Sequence, residues 1–543
     1  MTTAVLALDA FLNSALREGR LRDAREEPGA LRFRDARGRE VRVPVRARST
    51  WRRCFGADCA LRQAGNWRPV SIETLLSDLA GEGGATFRAR VLDSLAAIET
   101  ADWATGDPER WSFAEGEQAL LAGHAFHPNP RSRDGMTGAE VRRYAPERRG
   151  RFALHWVAVD PALLTLSAGA AERMRALAEA DLGTLPARGV PVPWHPWQAR
   201  RLLDRADLRA HLAAGRLTDL GPGTAAWRAT SSMRSLHGFH APYMLKTSLS
   251  LRLTNSVRDL SLREVVRGIH ITDLLGSALG RRIRSEFPTL RLLAEPGYVA
   301  LNDAAGAPIE QTISVLRDNP FRDAARPGPV MLAALCEPGP DGRSPLGRIV
   351  ARLGPGTGAA WFARFLAVAV LPLLELRARH GLLFGAHQQN MMLDLKDGWP
   401  AAAWIRDCQG TGHLRAFHGH LTAACPAIGE GSENVVDADL GDGLVTYYVV
   451  VNGVLNTMAT LVLDGLAWEA ALLEVWREAL RRARAETPGD PTLYDKLLTR
   501  PTLTCKGNFA TSLSGVNEAD GDARGQLAAF LEIPNPLKET VGA

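Results

Sequence analysis

Two apolar runs joined by Asp397–Gly398 constrain this chain more than any other feature. Met391 to Leu395 and Ala401 to Ile405 flank the Asp-Gly pair. A two-residue turn in a hairpin needs positive φ at both positions, and Asp-Gly adopts it readily, so the stretch predicts a β-hairpin. Just before it stand a short apolar run, Leu382 to Phe384, and four polar residues, His387, Gln388, Gln389 and Asn390. Closing the hairpin brings Asn390, at its start, to Asp407, at its end. A histidine, an amide and a carboxylate then converge at one sheet edge. Oxygen ligands of this kind suit Mg²⁺ carried on nucleotide phosphates. A polar hairpin around a satisfied, buried histidine fits the same residues.

The rest of the chain sets limits on the reading. With 543 residues a single core is not expected, and roughly 150 residues per domain predicts three or four. Hydrophobic content of 46% and charged content of 23% describe an ordinary globular protein. The net charge of +5 is not gathered into a basic run, which argues against a nucleic-acid partner. Six cysteines occur without a CxxC pair, so no disulfide or zinc framework is implied, and a reducing cytoplasm is the expected setting. The N-terminus mixes acidic and basic residues in an amphipathic pattern, unlike a signal peptide. The longest apolar stretch, Leu444 to Leu463, is interrupted by Thr446, Asn452, Asn456 and Thr457. It reads as a buried core helix, and no membrane partner is expected. Of 65 basic residues only Lys246, Lys396, Lys496, Lys506 and Lys538 are lysine. A lysine kept in so Arg-rich a chain marks a place that needs a compact ammonium; Lys246 and Lys506 are the candidates.

Residues 1 to about 130 read as mostly helical, with one hairpin, Leu31–Asp35 against Val41–Val45, and helices over Ile72–Leu79 and Phe87–Thr100. The loop GHAFHPNPRSRDGM from Gly123 holds His124, His127 and Arg133 and suits an anion, since arginine pairs a carboxylate or phosphate with two prongs. In PVPWHPWQ, Trp194 and Trp197 should pack the segment onto a core, with His195 structural. ATSSMRSL gathers Ser231, Ser232 and Ser235 around Arg234, a turn able to cradle phosphate. From Leu245 to Thr254 the alternation is strict and predicts one strand. Its polar face carries Lys246, Ser248, Ser250, Arg252 and Thr254, with Arg258 one turn later. Residues 322–359, rich in Pro and Gly, read as an inter-domain linker. Helices are expected from Ala359 to His380, over Val445–Leu463 and over Leu466–Arg484, and Lys506 and Asn508 fall on an exposed turn.

Taken in order, these stretches resemble the IucA/IucC family, the NRPS-independent siderophore synthetases. GHAFHPNPRSRDG is similar to the family's Gly-His-Pro-x-His-Pro-x-x-Lys-x-Arg-x-Gly, with Ala125 at the first proline and Arg131 at the lysine. VPWHPWQ resembles its His-Pro-Trp-Gln segment, and ATSSMRSL its Thr-x-Ser-x-Arg-Thr turn. Lys246 to Arg258 resembles its Lys…Thr…Arg strand. AHQQN and RDCQG resemble its His-x-Gln-Asn and Arg-Asp pair, with Gly385 where a glutamate is common.

The resemblance implies an α+β, three-part cupped hand. Its parts are a thumb-like 1–132, a central antiparallel β-rich 133–327 resembling fingers, and a mostly helical palm-like 328–543 carrying a kinase-like hairpin. It implies ATP and Mg²⁺, and a reaction that activates a carboxylate as an acyl-adenylate before an amine or hydroxyl attacks. The usual acid is citrate or a citrate-derived conjugate, and the resemblance leans towards a homodimer while leaving the oligomeric state open. The implied catalytic groups are Lys246, Arg258 and His387, cations and an imidazole beside developing phosphate charge. Ser231, Ser232, Arg234, Ser235, Gln389, Asn390 and Asp407 complete the ATP site, with Asn390 and Asp407 on the metal. His124, His127, Arg133, Thr254 and Lys506 face the acid. On the residues alone, two other readings stay open. One is a kinase-like phosphotransferase, which uses an Asn and an Asp one hairpin apart; the other is a non-catalytic binder of carboxylates or siderophores.

Overall fold

The computed structural model describes residues 3–103, 106–185, 187–431, 433–517 and 530–538. It is a mixed α/β structure built mainly from antiparallel sheets. The N-terminal part is a six-stranded sheet running from Arg22–Glu27 to Asn66–Pro69, covered by the helices Ala4–Arg17, Ile72–Gly81 and Ala85–Glu99. Leu8, Phe11 and Leu12 of the first helix pack on Phe33, Val41 and Val43 of the sheet. The expected hairpin is there, with Phe33 opposite Val41, but the expectation of a mostly helical segment is corrected. The edge strand Arg22–Glu27 is almost wholly exposed. Such a strand carries no apolar alternation, so the sequence pattern cannot announce it.

The central part holds a seven-stranded antiparallel sheet. Its order is Leu164–Leu166, Gly297–Leu301, Ser314–Asp318, Tyr243–Thr247, Ser235–His237, Trp227–Ala229 and Arg151–Phe152. A small sheet beside it joins Ser256–Arg258, Leu249–Leu253 and Arg133–Asp134. The single strand expected from Leu245 to Thr254 is therefore two strands in two sheets. Ser248 is the break. Its N–H bonds Ile313 O at 2.9 Å, its hydroxyl donates to Glu310 O at 2.6 Å and accepts the Leu260 N–H at 2.9 Å. A side chain that takes over ladder bonds lets the chain change sheets without leaving backbone groups unpaired. Trp194, Trp197 and His195 are all buried beneath this part.

The C-terminal part carries the predicted hairpin, Met391–Lys396 against Trp399–Ile405, with Met391 opposite Ile405. Asp397 and Gly398 have φ of 51° and 78°, as a tight two-residue hairpin turn requires. Two long helical runs, Gly358–His380 and Ala438–Leu463, are apolar and long enough to cross a membrane, yet bury 61% and 83% of their apolar windows inside the fold. Each contains a wider π-type stretch, Leu366–Val370 and Thr446–Leu455. The segment expected to be a linker is structured. Val330–Met331 joins the hairpin's sheet, and Leu332, Leu335, Leu346 and Ile349 are buried in the largest core cluster. Its prolines and glycines punctuate short packed elements.

Candidate active site

Between residues 124–133, the central sheets and residues 387–508 a cleft of about 1920 Å³ opens, and every candidate residue from His124 to Lys506 lines it. One wall is the strand Tyr243–Thr247. Antiparallel pairing sets Ser235 opposite Lys246, so the serine–arginine turn sits directly over the lysine. The turn is held by its own hydroxyl: Ser232 Oγ accepts the Ser235 N–H at 3.2 Å, and Met233 takes a φ of 62°. Arg234 Nη1 donates to Arg258 O at 2.8 Å and Asp259 O at 3.1 Å, which ties the turn to the second cationic segment. Arg258 in turn donates to Leu253 O at 3.1 Å and Thr254 Oγ1 at 3.2 Å.

The hairpin supplies the facing wall. Asp407 follows its second strand with φ 75° and ψ 64°, a left-handed conformation that a non-glycine residue holds only where its surroundings fix it. Lys246 Nζ fixes it, donating to Asp407 Oδ1 at 2.5 Å and Gln409 Oε1 at 2.6 Å. Burial would raise the Asp407 carboxyl, but Lys246, Arg317 and Arg234 outweigh it and hold the group well below the usual carboxylate range. Asn390 Nδ2 lies 3.5 Å from Asp407 Oδ2, so the two ends of the hairpin do meet. Among the described residues no group of three His, Cys, Asp or Glu is placed to hold a metal ion. One carboxylate and one amide therefore fit a hard cation that brings its remaining ligands on phosphate and water, as Mg²⁺ does.

His387 Nδ1 accepts the Gln389 N–H at 3.2 Å, which leaves the ring proton of the neutral form on Nε2. Burial pushes its imidazole down to about 4, so His387 is neutral at pH 7. Lys506, at the end of the strand Thr502–Lys506, is half-buried, and Asn508 is buried with Nδ2 bonded to Phe126 O at 3.0 Å. The exposed turn expected there is corrected: the turn is clamped against the histidine loop. Arg133 reaches the cleft, but its guanidinium is paired to Glu147 at 2.5 Å and its Nε–H points to Met233 Sδ.

A profile of the IucA / IucC family matches residues 112–337. Rhizobactin siderophore biosynthesis protein RhbC of Rhizobium meliloti (strain 1021) is 34% identical across 99% of this chain and 98% of its own length. The chain belongs to the IucA / IucC family. Within that family it is similar to N(2)-citryl-N(6)-acetyl-N(6)-hydroxylysine synthase of Escherichia coli, 32% identical over 83% of this chain and 81% of that protein. It also superposes on ATP-bound aerobactin synthetase IucA from Klebsiella pneumoniae with a TM-score of 0.89, 29% identity, and 98% and 100% of the two chains covered. Residues 359–521 match a second profile, that of the ferric iron reductase FhuF-like transporter family.

This family member carries residues that the sequence did not single out: Arg406 and Asn452 in the cleft and the buried Glu117 behind Arg406. Arg406 bonds Glu117 Oε1 at 2.5 Å, Ser231 Oγ at 3.1 Å and Gln389 O at 2.5 Å, so one guanidinium fixes the hairpin, the serine turn and the helix Phe113–Gln118. Glu117 also accepts the Ser231 N–H at 3.1 Å. Asn452, in the π-type stretch, accepts the Gln388 N–H at 3.1 Å and lies 2.9 Å from His124 Nε2. Irregular helical turns of this type often mark functional sites. Arg406 and Gln409 stand in the quoted RDCQG, and so had a signal; Glu117 and Asn452 had none beyond being polar.

A second cavity of about 1200 Å³ adjoins the cleft at Lys246 and Asp407; its lining mixes the apolar Leu383, Phe384, Val436 and Leu444 with Arg263, Arg267, Glu433 and Asn434.

Proposed function

We propose that the chain is an ATP-dependent ligase that adenylates a carboxylate, citrate or a citrate-derived conjugate, and joins it to an amine or hydroxyl with release of pyrophosphate and AMP. The observation that carries the reading is the Lys246–Asp407–Gln409 network beneath the Ser231–Ser235 turn, in a chain that matches an ATP-bound aerobactin synthetase from end to end. Adenine would occupy the adjoining cavity, against Leu383, Phe384, Val436 and Leu444. The phosphates would then lie toward Lys246, Arg234 and Arg258, with the turn's hydroxyls and amides as further donors. Asn390 and Asp407 would hold Mg²⁺, which when bound neutralises phosphate charge. His124, His127, Thr254 and Lys506 face the same cleft from the other side and suit the acid. Arg133 is committed to Glu147, and we assign it to shaping that wall.

In the first step a carboxylate oxygen of the acid attacks the α-phosphorus, the α–β bridging bond breaks, and pyrophosphate leaves. Negative charge grows on the α-phosphate oxygens. Lys246 and Arg258 are fixed cations at that point, and the His387 Nε2–H is a fixed neutral donor; preorganised groups of this kind need no reorganisation as charge develops. In the second step the nucleophile attacks the acyl carbon, the C–O bond to AMP breaks, and the nucleophile's proton is lost. The cupped-hand arrangement, the division at 132 and 327, and a cytoplasmic setting go with the same reading.

A panel of di- and tricarboxylates, assayed with ATP and with hydroxylamine as a small nucleophile, tests it. The expected result is hydroxamate from citrate or a citrate conjugate. No hydroxamate from any acid in the panel would overturn the reading.

A further inference from the structure

Gln198, the last residue of PVPWHPWQ, is 2% exposed and does not line the cleft. Its amide has one possible orientation. Oε1 accepts the Ser250 N–H at 2.9 Å, and Nε2 donates to Gln311 O at 3.1 Å. Both partners are main-chain groups, the first only a donor and the second only an acceptor. Nε2 also donates to Ser250 Oγ at 2.9 Å, so the hydroxyl spends its own proton on Asp259 Oδ1, 2.8 Å away. A directed chain of hydrogen bonds thus runs from Gln198 through Ser250 to Asp259. The helix Pro196–Leu203 that carries Gln198 is held in turn: His195 caps it through the Trp197 N–H at 3.1 Å. Trp194 Nε1 donates to Thr312 O at 3.2 Å, one residue from Gln311.

The strand is irregular where Gln198 grips it. In the pairing of Leu249–Leu253 with Ser256–Arg258, Leu249 stands opposite Arg258 and Arg252 opposite Val257. Ser250 and Leu251 are therefore a bulge, and the Ser250 N–H is taken by Gln198 instead of the partner strand. A bulge bends its strand and re-aims the side chains beside it. Arg258 lies at the edge of this one, and Asp259, where the hydrogen-bond chain ends, is the next residue. The carbonyls of these two residues accept Arg234 Nη1 at 2.8 and 3.1 Å, so two cleft cations are anchored on one short stretch.

Resting on the ligase reading above, we infer that Gln198 and Ser250 are positioning residues for Arg258. Gln198 holds the bulge, Ser250 holds Asp259, and together they set where the Arg258 guanidinium stands against the charge that develops on the α-phosphate. Neither residue lines the cleft, so both act through Arg258 and the stretch that carries it.

The test uses full-length protein with ATP, Mg²⁺, hydroxylamine and the acid that supports hydroxamate formation, and reads kcat, KM for the acid and the urea midpoint. Ser250→Ala removes one oxygen from a half-buried side chain; it cuts the link to Asp259 and leaves the Gln198 clamp on the main chain. It should lower kcat by about tenfold with KM for the acid within about twofold. Gln198→Leu frees the bulge as well and should lower kcat by about a hundredfold, the scale of a misplacement of about 1 Å. Ser250→Thr keeps the hydroxyl and should stay within about threefold of wild type. Arg258→Lys keeps a charge and loses the fork. In that background Ser250→Ala should cost less than about threefold, because the cation it places is already displaced. A purely structural pair would instead lower the urea midpoint and cost the same factor in both backgrounds. The inference is overturned if Ser250→Ala keeps kcat within about twofold of wild type, if Ser250→Thr loses as much as Ser250→Ala, or if the loss is undiminished beside Arg258→Lys. Those outcomes decide the matter alone if Gln198→Leu does not fold. Absence of hydroxamate in wild type is a different failure: it overturns the ligase reading and the inference with it.

Discussion

Two buried ion pairs line the same cleft, and they differ in which partner faces the opening. Lys246 and Asp407 have side chains 5% and 31% exposed; Arg133 and Glu147 are 5% and 0% exposed. Glu147 is enclosed by two arginines, with Arg131 3.7 Å away on its other oxygen. Burial would raise its carboxyl, yet Arg133 and Arg131 outweigh that and lower it. No ligand can reach Glu147, so Arg133 has no occasion to exchange partners. Asp407 stands at the edge of the opening in a strained backbone conformation, with one oxygen on Lys246 and the other only loosely held. In the proposed reading a phosphate would take over the lysine, and a cation would take over the aspartate. Of two cations at one cleft, the available one is the one whose anion is open to exchange.

Breaking each pair separates the two roles. Glu147→Ala takes the carboxylate from the buried Arg133 guanidinium and should lower stability by about 3–5 kcal/mol, the usual scale for removing one partner of a buried pair. Urea unfolding followed by tryptophan fluorescence measures this, and a loss below about 1 kcal/mol would show the pair to be dispensable. Lys246→Ala should cut kcat by about 10²–10³-fold, the scale of losing one preorganised donor at developing charge, with a much smaller shift in the urea midpoint. Lys246→Arg should also be poor, because a planar fork does not replace a point charge between Asp407 and Gln409. Near-normal turnover in either lysine variant removes Lys246 from the chemistry.

The histidines sharpen the same contrast, with a smaller effect. His195 is fully buried, caps the helix Pro196–Leu203 by accepting the Trp197 N–H at 3.1 Å, and is pushed down to about 3 by burial. Its unfolded value is about 6.5, so the unfolded chain takes up the proton first as pH falls. The stability it supports is complete above about pH 6.5 and declines toward pH 3, by roughly 1 kcal/mol per pH unit. His195→Asn keeps a capping acceptor and should flatten that slope, read from urea midpoints at pH 7, 5.5 and 4.5. An unchanged slope would place the acid sensitivity elsewhere.

The hairpin and the serine–arginine turn were legible because both are local: turn chemistry at Asp397–Gly398 and hydroxyls within four residues of Arg234 specify them. The buried tryptophans and the two long apolar helices were legible for the same reason. The break at Ser248 was not, since strict alternation runs straight through it and only the contacts to Glu310 and Leu260 reveal the change of sheet. The exposed strand Arg22–Glu27 has no pattern to read. The partners that tune the cleft were hidden by distance along the chain. Lys246 meets Gln409, Arg406 meets Glu117 and His124 meets Asn452 across separations of 163, 289 and 328 residues. Pattern reading placed residue types in the right stretches; which anion each cation faces is a property of the assembled fold.

The central claim is that this cleft breaks ATP between its α and β phosphates. The most direct measurement is the nucleotide product, separated by ion-pair chromatography after incubation with ATP, Mg²⁺, citrate and an amine. AMP and pyrophosphate formed in step with the ligated product are what the account predicts. ADP as the stoichiometric product would contradict it and point to phosphoryl transfer from the same hairpin.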